Sequence, residues 1–264
     1  MCGLNRFKLE SSMLSLAKRT ACGVLILLAM PLIVWVSDWF WTPSENNPFL
    51  KPLFWITETS SSPWGALTSV VLALWFVWQL KLPIMRKGLY LIAILAVTIV
   101  GGQAIKSAIK ETVEEPRPFV LWLENEFQID DAAFYSLPRK ERARIVEQKL
   151  KNEDRVPPWL SKHWERETGY SFPSGHTMFT ASWALLGIGL LWPRRRYVSA
   201  TILMIWAVTV AGSRLLLGMH WSEDLMVSII LSGLFAFLAC WFIDRKVMRL
   251  DQFAGAAGTE KCEE

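Results

Sequence analysis

Three short clusters of charged and polar residues carry the side chains that phosphoryl chemistry needs. The first is Ser213-Arg214-Leu215-Leu216-Leu217-Gly218-Met219-His220-Trp221-Ser222-Glu223-Asp224. His220 and Asp224 are four residues apart, so a helix beginning near Trp221 lets the carboxylate reach back to the imidazole. A carboxylate in that position holds the tautomer that leaves Nε2 free and stabilises the cation formed when the ring attacks. Such a histidine can attack phosphorus and split one hard displacement into two easier ones. Arg214 is a fixed cation able to hold non-bridging oxygens by paired hydrogen bonds. The second cluster is Phe172-Pro173-Ser174-Gly175-His176. Ser174 and Gly175 lie where a helix starts, so their N–H groups and the hydroxyl can hold an oxyanion at the positive end of the helix dipole. His176, next in line, can protonate a leaving oxygen. The third runs from Lys110 to Pro118 and adds two cations, Lys110 and Arg117. Taken singly, each cluster has a plainer account: Lys110, Arg117, Arg214 and His220 as anchors at a membrane surface, and Pro-Ser-Gly-His as a helix start. His176, His220 and Asp224 are also possible metal ligands. Three cations beside one assured carboxylate would repel a divalent ion, so neither a metal nor another cofactor is expected. His163 has no matching partners and is expected to be a loop residue.

The elements that must position these clusters are apolar. The 264-residue chain is 52% hydrophobic with 15 Trp. Six apolar runs stand out, roughly Ala21–Val36, Trp64–Leu80, Leu89–Ile109, Thr177–Trp192, Val198–Leu217 and Leu225–Ile243. Most approach the roughly 20 residues that cross a bilayer core. Unbroken runs this apolar leave no polar face for water, which disfavours a soluble bundle. The expected fold is therefore all-α, a polytopic membrane helix bundle with six transmembrane helices. The first run follows basic residues and is followed by Trp35, Trp39, Phe40 and Trp41 rather than small residues, so it reads as a retained span and not a signal peptide.

Charge sets the orientation. Arg6, Lys8, Lys18 and Arg19, then Lys81, Arg86 and Lys87, then Arg194, Arg195 and Arg196, and finally Arg245, Lys246 and Arg249 all fall on one side of a six-span alternation. The positive-inside rule puts that side, with both termini, in the cytoplasm. In a Gram-negative cell the three clusters then lie at the periplasmic face of the inner membrane. Basic residues confined to short connections argue against a nucleic-acid surface, and the net charge is only +4. The four Cys have no metal-type spacing. Residues 1–243 make one membrane domain, with 110–173 as a periplasmic insertion between spans three and four, and 244–264 as a cytoplasmic tail expected to be disordered. Within the insertion, Leu137–Lys151 has a helical composition. Its Ile145, Val146 and Leu150 suit a face seated on the membrane or on neighbouring spans, either as a structural helix or as a lid. Pro157-Pro158 is expected to end that region, with Trp159 and Trp164 at the interface.

Lys110-x6-Arg117-Pro118, Pro173-Ser174-Gly175-His176 and Ser213-Arg214-x5-His220-x3-Asp224 together resemble the three-part signature of the type 2 phosphatidic acid phosphatase superfamily. The resemblance is complete at every signature position. It implies His220 as nucleophile, Asp224 as its orienting partner and His176 as general acid, with no metal. It also implies that Lys110, Arg117, Ser174, Gly175 and Arg214 hold the phosphate. The implied substrates are lipid phosphates and pyrophosphates presented by the bilayer, including phosphatidylglycerol phosphate and undecaprenyl pyrophosphate. A transporter or flippase would share the six spans but place ionisable groups at mid-bilayer rather than at span ends. A phosphotransferase would use the same pocket with another acceptor.

Overall fold

The computed structural model describes residues 2–43 and 47–248. Every regular element among them is helical. In chain order the α-helices are α1 (Cys2–Val36), α2 (Leu50–Glu58), α3 (Trp64–Gln79), α4 (Leu89–Val113), α5 (Pro118–Phe127), α6 (Asp131–Ser136), α7 (Arg139–Leu150), α8 (Pro158–Arg166), α9 (Gly175–Leu190), α10 (Tyr197–Leu216) and α11 (Ser222–Ile243), with a π-helical turn at Ile84–Gly88 and a 3-10 turn at Trp192–Arg194. The chain continues α11 as a π-helical turn, Asp244–Met248. The expected disordered tail lies, from residue 249 onward, outside the described residues.

The bundle is organised around α9. Every residue from Thr177 to Leu190 is buried, with α1, α4, α10 and α11 packed around it. Small residues allow the close approach that packing in lipid requires. A Cβ on Gly187 would meet Leu203 of α10 at 2.9 Å, and one on Gly189 would collide with Cys240 of α11. On α11, Ser228 and Ser232 donate to their own helix at Asp224 and Ser228, at 2.6 and 2.7 Å, and lie 3.0 Å from the Ser174 and Met178 carbonyls, so the two backbones approach closely. Around this axis the outer helices turn apolar side chains outward. Leu25, Ile33, Val70, Val97, Ile205 and Leu234 are each more than half exposed, an apolar exterior of the kind a membrane covers.

Among the described residues, four stretches are long and apolar enough to cross a membrane: Ser12–Val36, Met85–Phe127, Tyr197–Leu216 and Ser222–Lys246. The remaining two expected spans correspond to α3 and α9, each of 16 residues. At 1.5 Å per residue that is roughly 24 Å, short of the roughly 30 Å hydrocarbon core. For α9 the length matters less, because protein surrounds it on all sides.

A second core sits at one end of the bundle. Phe54 of α2, Phe119 of α5, Phe134 of α6, Val146 and Leu150 of α7, and Trp164 of α8 are buried together with Leu217 and Met219. Phe119 stacks on Trp164 at 4.8 Å, and the Trp164 Nε1–H donates to the Leu217 carbonyl at 2.9 Å. Several expectations are corrected here. Val146 and Leu150 seat α7 on this aromatic core rather than on lipid. Pro158 begins a helix instead of ending a region; proline suits the first helical position because no intrahelical partner awaits its missing N–H. Trp164 is wholly buried, not interfacial. His163 is no loop residue: it lies in α8, 2% exposed.

Helix directions separate the two ends of the bundle. The helices α9 and α11 start, and α4 and α10 finish, at the end that carries the aromatic core. The basic turns around 81–87, 194–196 and 245–246 lie at the other end.

Candidate active site

The three clusters converge where the aromatic core meets the bundle, stitched by backbone contacts. Helix α10 ends at Leu216, and Gly218 turns the chain with φ +69°. Only glycine fits there, since the Trp41 ring lies 2.6 Å from where a Cβ would sit. The Gly218 carbonyl accepts from the Phe119 N–H at 3.0 Å. The Trp221 Nε1–H donates to the Pro116 carbonyl at 2.9 Å, and the Ser171 N–H to the Glu115 carbonyl at 2.7 Å. The segment after Lys110 is thereby pinned to the loops before His220 and before Ser174.

Asp224 is the third residue of α11 and reaches back over its N-terminus. Its Oδ2 accepts from the Trp221 N–H at 3.0 Å, the carboxylate half of a capping box. The same oxygen meets His220 Nδ1 at 2.9 Å, with both side chains buried. Arg117 approaches the opposite ring atom, with Nη1 3.5 Å from His220 Nε2. A guanidinium can only donate, so Nε2 presents its lone pair and the proton resides on Nδ1 against Asp224. Burial, reinforced by Arg117, Arg214, Lys110 and His176, holds the His220 pKa well below the ordinary imidazole range. His220 is therefore neutral at physiological pH with Nε2 free.

Arg117 caps α5 and is buried. It spends Nε on the Gly169 carbonyl at 2.6 Å and Nη1 on the Met219 carbonyl at 3.0 Å. Lys110 donates to the Tyr170 carbonyl at 2.5 Å. Ser174 is the N-cap of α9, and its Oγ accepts from the Thr177 N–H at 3.4 Å. Gly175 and His176 thus open the helix, where the first N–H groups have no intrahelical acceptor. A Cβ on Gly175 would meet Lys106 at 3.0 Å, so glycine keeps this approach narrow.

Four functional groups escaped the sequence reading. Glu167, the C-cap of α8, projects among the cations. Its Oε2 lies 2.9 Å from Arg214 Nη2 and 3.4 Å from Arg117 Nη2, and its Oε1 lies 3.4 Å from His176 Nε2. Burial alone would raise its pKa, but the Arg214 and Arg117 guanidiniums beside it outweigh that and hold it well below the carboxylate range. A carboxylate thus stands where residues of all three clusters meet. His163 supports Arg214 from behind, with Nε2 3.1 Å from Nη1. Burial, opposed by Glu167 and reinforced by Arg214, takes its pKa down to about 3, so the ring is neutral and accepts from the guanidinium. Glu58 and Ser61 approach from the end of α2: Ser61 Oγ lies 2.9 Å from His176 Nε2, and Glu58 Oε1 lies 3.7 Å from His163 Nδ1. For the α8 pair a signal existed, since Leu160, His163, Trp164 and Glu167 follow the helical i, i+3, i+4, i+7 spacing. For Ser61, inside Thr-Ser-Ser-Ser-Pro, there was none.

A buried cation cluster, a carboxylate-backed neutral histidine and a second histidine at a helix start define a phosphatase of the lipid-phosphate class. Residues 87–248 match the PAP2 superfamily, and the chain belongs to it. It is similar to phosphatidylglycerophosphatase B of Escherichia coli K12, with 51% identity over 233 residues, 88% of this chain and 91% of the relative. It is also similar to phosphatidylglycerophosphatase B of Haemophilus influenzae, with 31% identity over 239 residues, 88% of this chain and 98% of the relative. The chain is a membrane lipid phosphatase.

Proposed function

We propose that the enzyme hydrolyses the terminal phosphate from phosphatidylglycerol phosphate, undecaprenyl pyrophosphate and related lipids through a phosphohistidine on His220. The observation that carries this reading is the Glu167 carboxylate. It is held by Arg117, Arg214 and His176, one member from each cluster, and so marks a place built for an anionic group.

In the first half-reaction His220 Nε2 attacks phosphorus. The P–N bond forms as the P–O bond to the lipid breaks, and His176 gives its proton to the departing oxygen. Asp224 stabilises the positive charge on the phosphorylated ring. Lys110, Arg117, Arg214, Ser174 and the opening amides of α9 hold the equatorial oxygens, preorganised for the charge of the transition state. In the second half-reaction water adds to phosphorus, its proton passes to His176, and the P–N bond breaks to release phosphate and free His220.

The membrane setting suits a substrate whose tails stay in the bilayer. Tail burial supplies binding, leaving the polar site free to act on the transition state. Six spans, with both termini in the cytoplasm and the site at the periplasmic face of the inner membrane, agree with the basic turns lying at the far end of the bundle. The test is His220→Ala in purified, lipid-reconstituted protein. Phosphate release from phosphatidylglycerol phosphate should fall to background, together with loss of the acid-labile phosphohistidine trapped from labelled lipid. Near-normal turnover by a correctly inserted variant would remove His220 from the nucleophile role.

A further inference from the structure

We propose that Ser61 and Glu58, on the turn leaving α2, are positioning residues for the leaving-group acid, a fourth part of the site outside the three clusters. The inference rests on His176 being that acid. Ser61 Oγ lies 2.9 Å from His176 Nε2 and donates its hydroxyl proton to Glu58 Oε1 at 3.1 Å. A hydroxyl has one proton to give and a carboxylate can only accept, so Ser61 must receive the Nε2–H of His176. The relay therefore orients the cationic ring that serves as the acid by its Nε2–H, and the ring left after proton transfer is neutral with its proton on Nδ1. Nε2 is the same atom that faces Glu167 Oε1 and hence the place an anion occupies. When Nε2 has lost its proton, the Ser61 hydroxyl can turn and donate to it. One side chain thus holds the ring in the same orientation before and after proton transfer.

The relay is preorganised by its surroundings. The Ser61 carbonyl accepts from the Gly65 N–H at 2.7 Å as α3 begins. Two residues earlier, Thr59 is held by the Trp206 Nε1–H of α10 at 3.0 Å, and its carbonyl by Thr68 at 2.8 Å. Glu58 also reaches the support of a phosphate clamp through the same carboxylate. Its Oε1 lies 3.7 Å from His163 Nδ1, which carries the ring proton because Nε2 accepts from Arg214. The turn after α2 thus orients both the acid and, through His163, one phosphate clamp.

Leaving-group dependence separates this role from a merely structural one. Phosphatidic acid expels an alkoxide and needs the acid, whereas diacylglycerol pyrophosphate, with the same tails, expels a much weaker base. Ser61→Ala should shift the ratio of the two kcat values against phosphatidic acid by on the order of tenfold, a fraction of the roughly 10²–10⁴ that general acid catalysis supplies. Ser61→Thr, which keeps the hydroxyl, should restore the ratio. His176→Ala is the reference and should shift it further in the same direction. Glu58→Gln gives a second reading, with a smaller shift of the same sign, should Ser61→Ala fail to insert. An unchanged ratio in Ser61→Ala beside a shifted one in His176→Ala overturns the positioning role and leaves the acid in place. An unchanged ratio in His176→Ala removes the acid assignment itself.

Discussion

Asp224→Asn isolates a single electrostatic contribution, because the geometry keeps everything else in place. The Trp221 N–H and His220 Nδ1 both address Asp224 Oδ2, at 3.0 and 2.9 Å. An asparagine that leaves its carbonyl oxygen there satisfies both donors, so the tautomer of His220 survives and Nε2 stays free. What disappears is the charge that faces the phosphorylated ring. With charge centres about 4 Å apart and an effective dielectric near 20, that attraction is worth about 4 kcal/mol, or roughly a thousandfold in rate. The loss should fall on kcat, with KM little changed, because the ring is neutral in the ground state and cationic only after attack. The amide nitrogen takes the buried place of Oδ1 and brings two N–H donors that need acceptors there, so stability should fall by about 1–3 kcal/mol. Steady-state phosphate release in mixed micelles, with thermal melts in the same detergent, measures both. A loss in kcat below tenfold would show that the Asp224 charge is not what stabilises phosphohistidine. A large rise in KM with kcat intact would place Asp224 in binding instead.

Three further outcomes follow from particular contacts. Glu167→Gln removes the carboxylate that an incoming phosphate must displace from Arg214 and Arg117. Inhibition by inorganic phosphate should tighten by on the order of tenfold, about 1.4 kcal/mol, while the melting temperature falls because Arg214 keeps a buried charge without its partner; weaker phosphate inhibition would refute this. Gly218→Ala forces a β-carbon into the Trp41 ring at a φ of +69°. It should cost about 2 kcal/mol or more and disturb the His220 loop, as thermal unfolding and activity measured together would show. As to pH, His220 and His163 both have folded-state pKa values below the unfolded imidazole. The unfolded chain therefore takes up protons that the native state refuses, so stability is full above about pH 6.5 and declines as pH falls from there toward 3. The acid limb of kcat/KM should likewise lie well below pH 6.5; a limb at or above that value would show that His220 is not held neutral.

The parts of the site legible in the sequence were those whose chemistry and local structure coincide. Asp224 three residues into a helix and four from His220 states its own contact, because helical spacing and N-terminal capping both require it. Ser174 reads as a cap for the same reason. The apolar runs announced helices correctly, yet their roles diverged. The helix α9 is as apolar as a lipid-facing span but lies wholly inside the bundle, and hydrophobicity alone does not distinguish burial in protein from burial in lipid. Its glycines at 187 and 189, spaced for contact with α10 and α11, were the available clue.

The insertion between Lys110 and Pro173 was the least legible because a few of its polar residues serve the inside of the site while most face solvent. Polar composition predicts exposure on the premise that charge seeks water. Here Arg117, Arg142, His163 and Glu167 find one another or backbone carbonyls instead, and an aromatic core beneath them excludes water. Arg142 donates to the Thr168 carbonyl at 2.8 Å and lies over the Tyr135 ring at 5.4 Å. Tyr135 in turn stacks on Tyr170 at 4.3 Å and hydrogen-bonds the Arg117 N–H at 3.1 Å. That chain of contacts links α6 and α7 to the residue that faces His220 Nε2. The insertion therefore shapes the cradle directly. An enzyme in which the three clusters were intact but this aromatic layer was loosened, for instance by Tyr135→Ala, would keep its nucleophile and the carbonyls that hold the Arg117 guanidinium, but would free the Arg117 backbone N–H from its partner; a fall in kcat without loss of inserted protein would register that loosening.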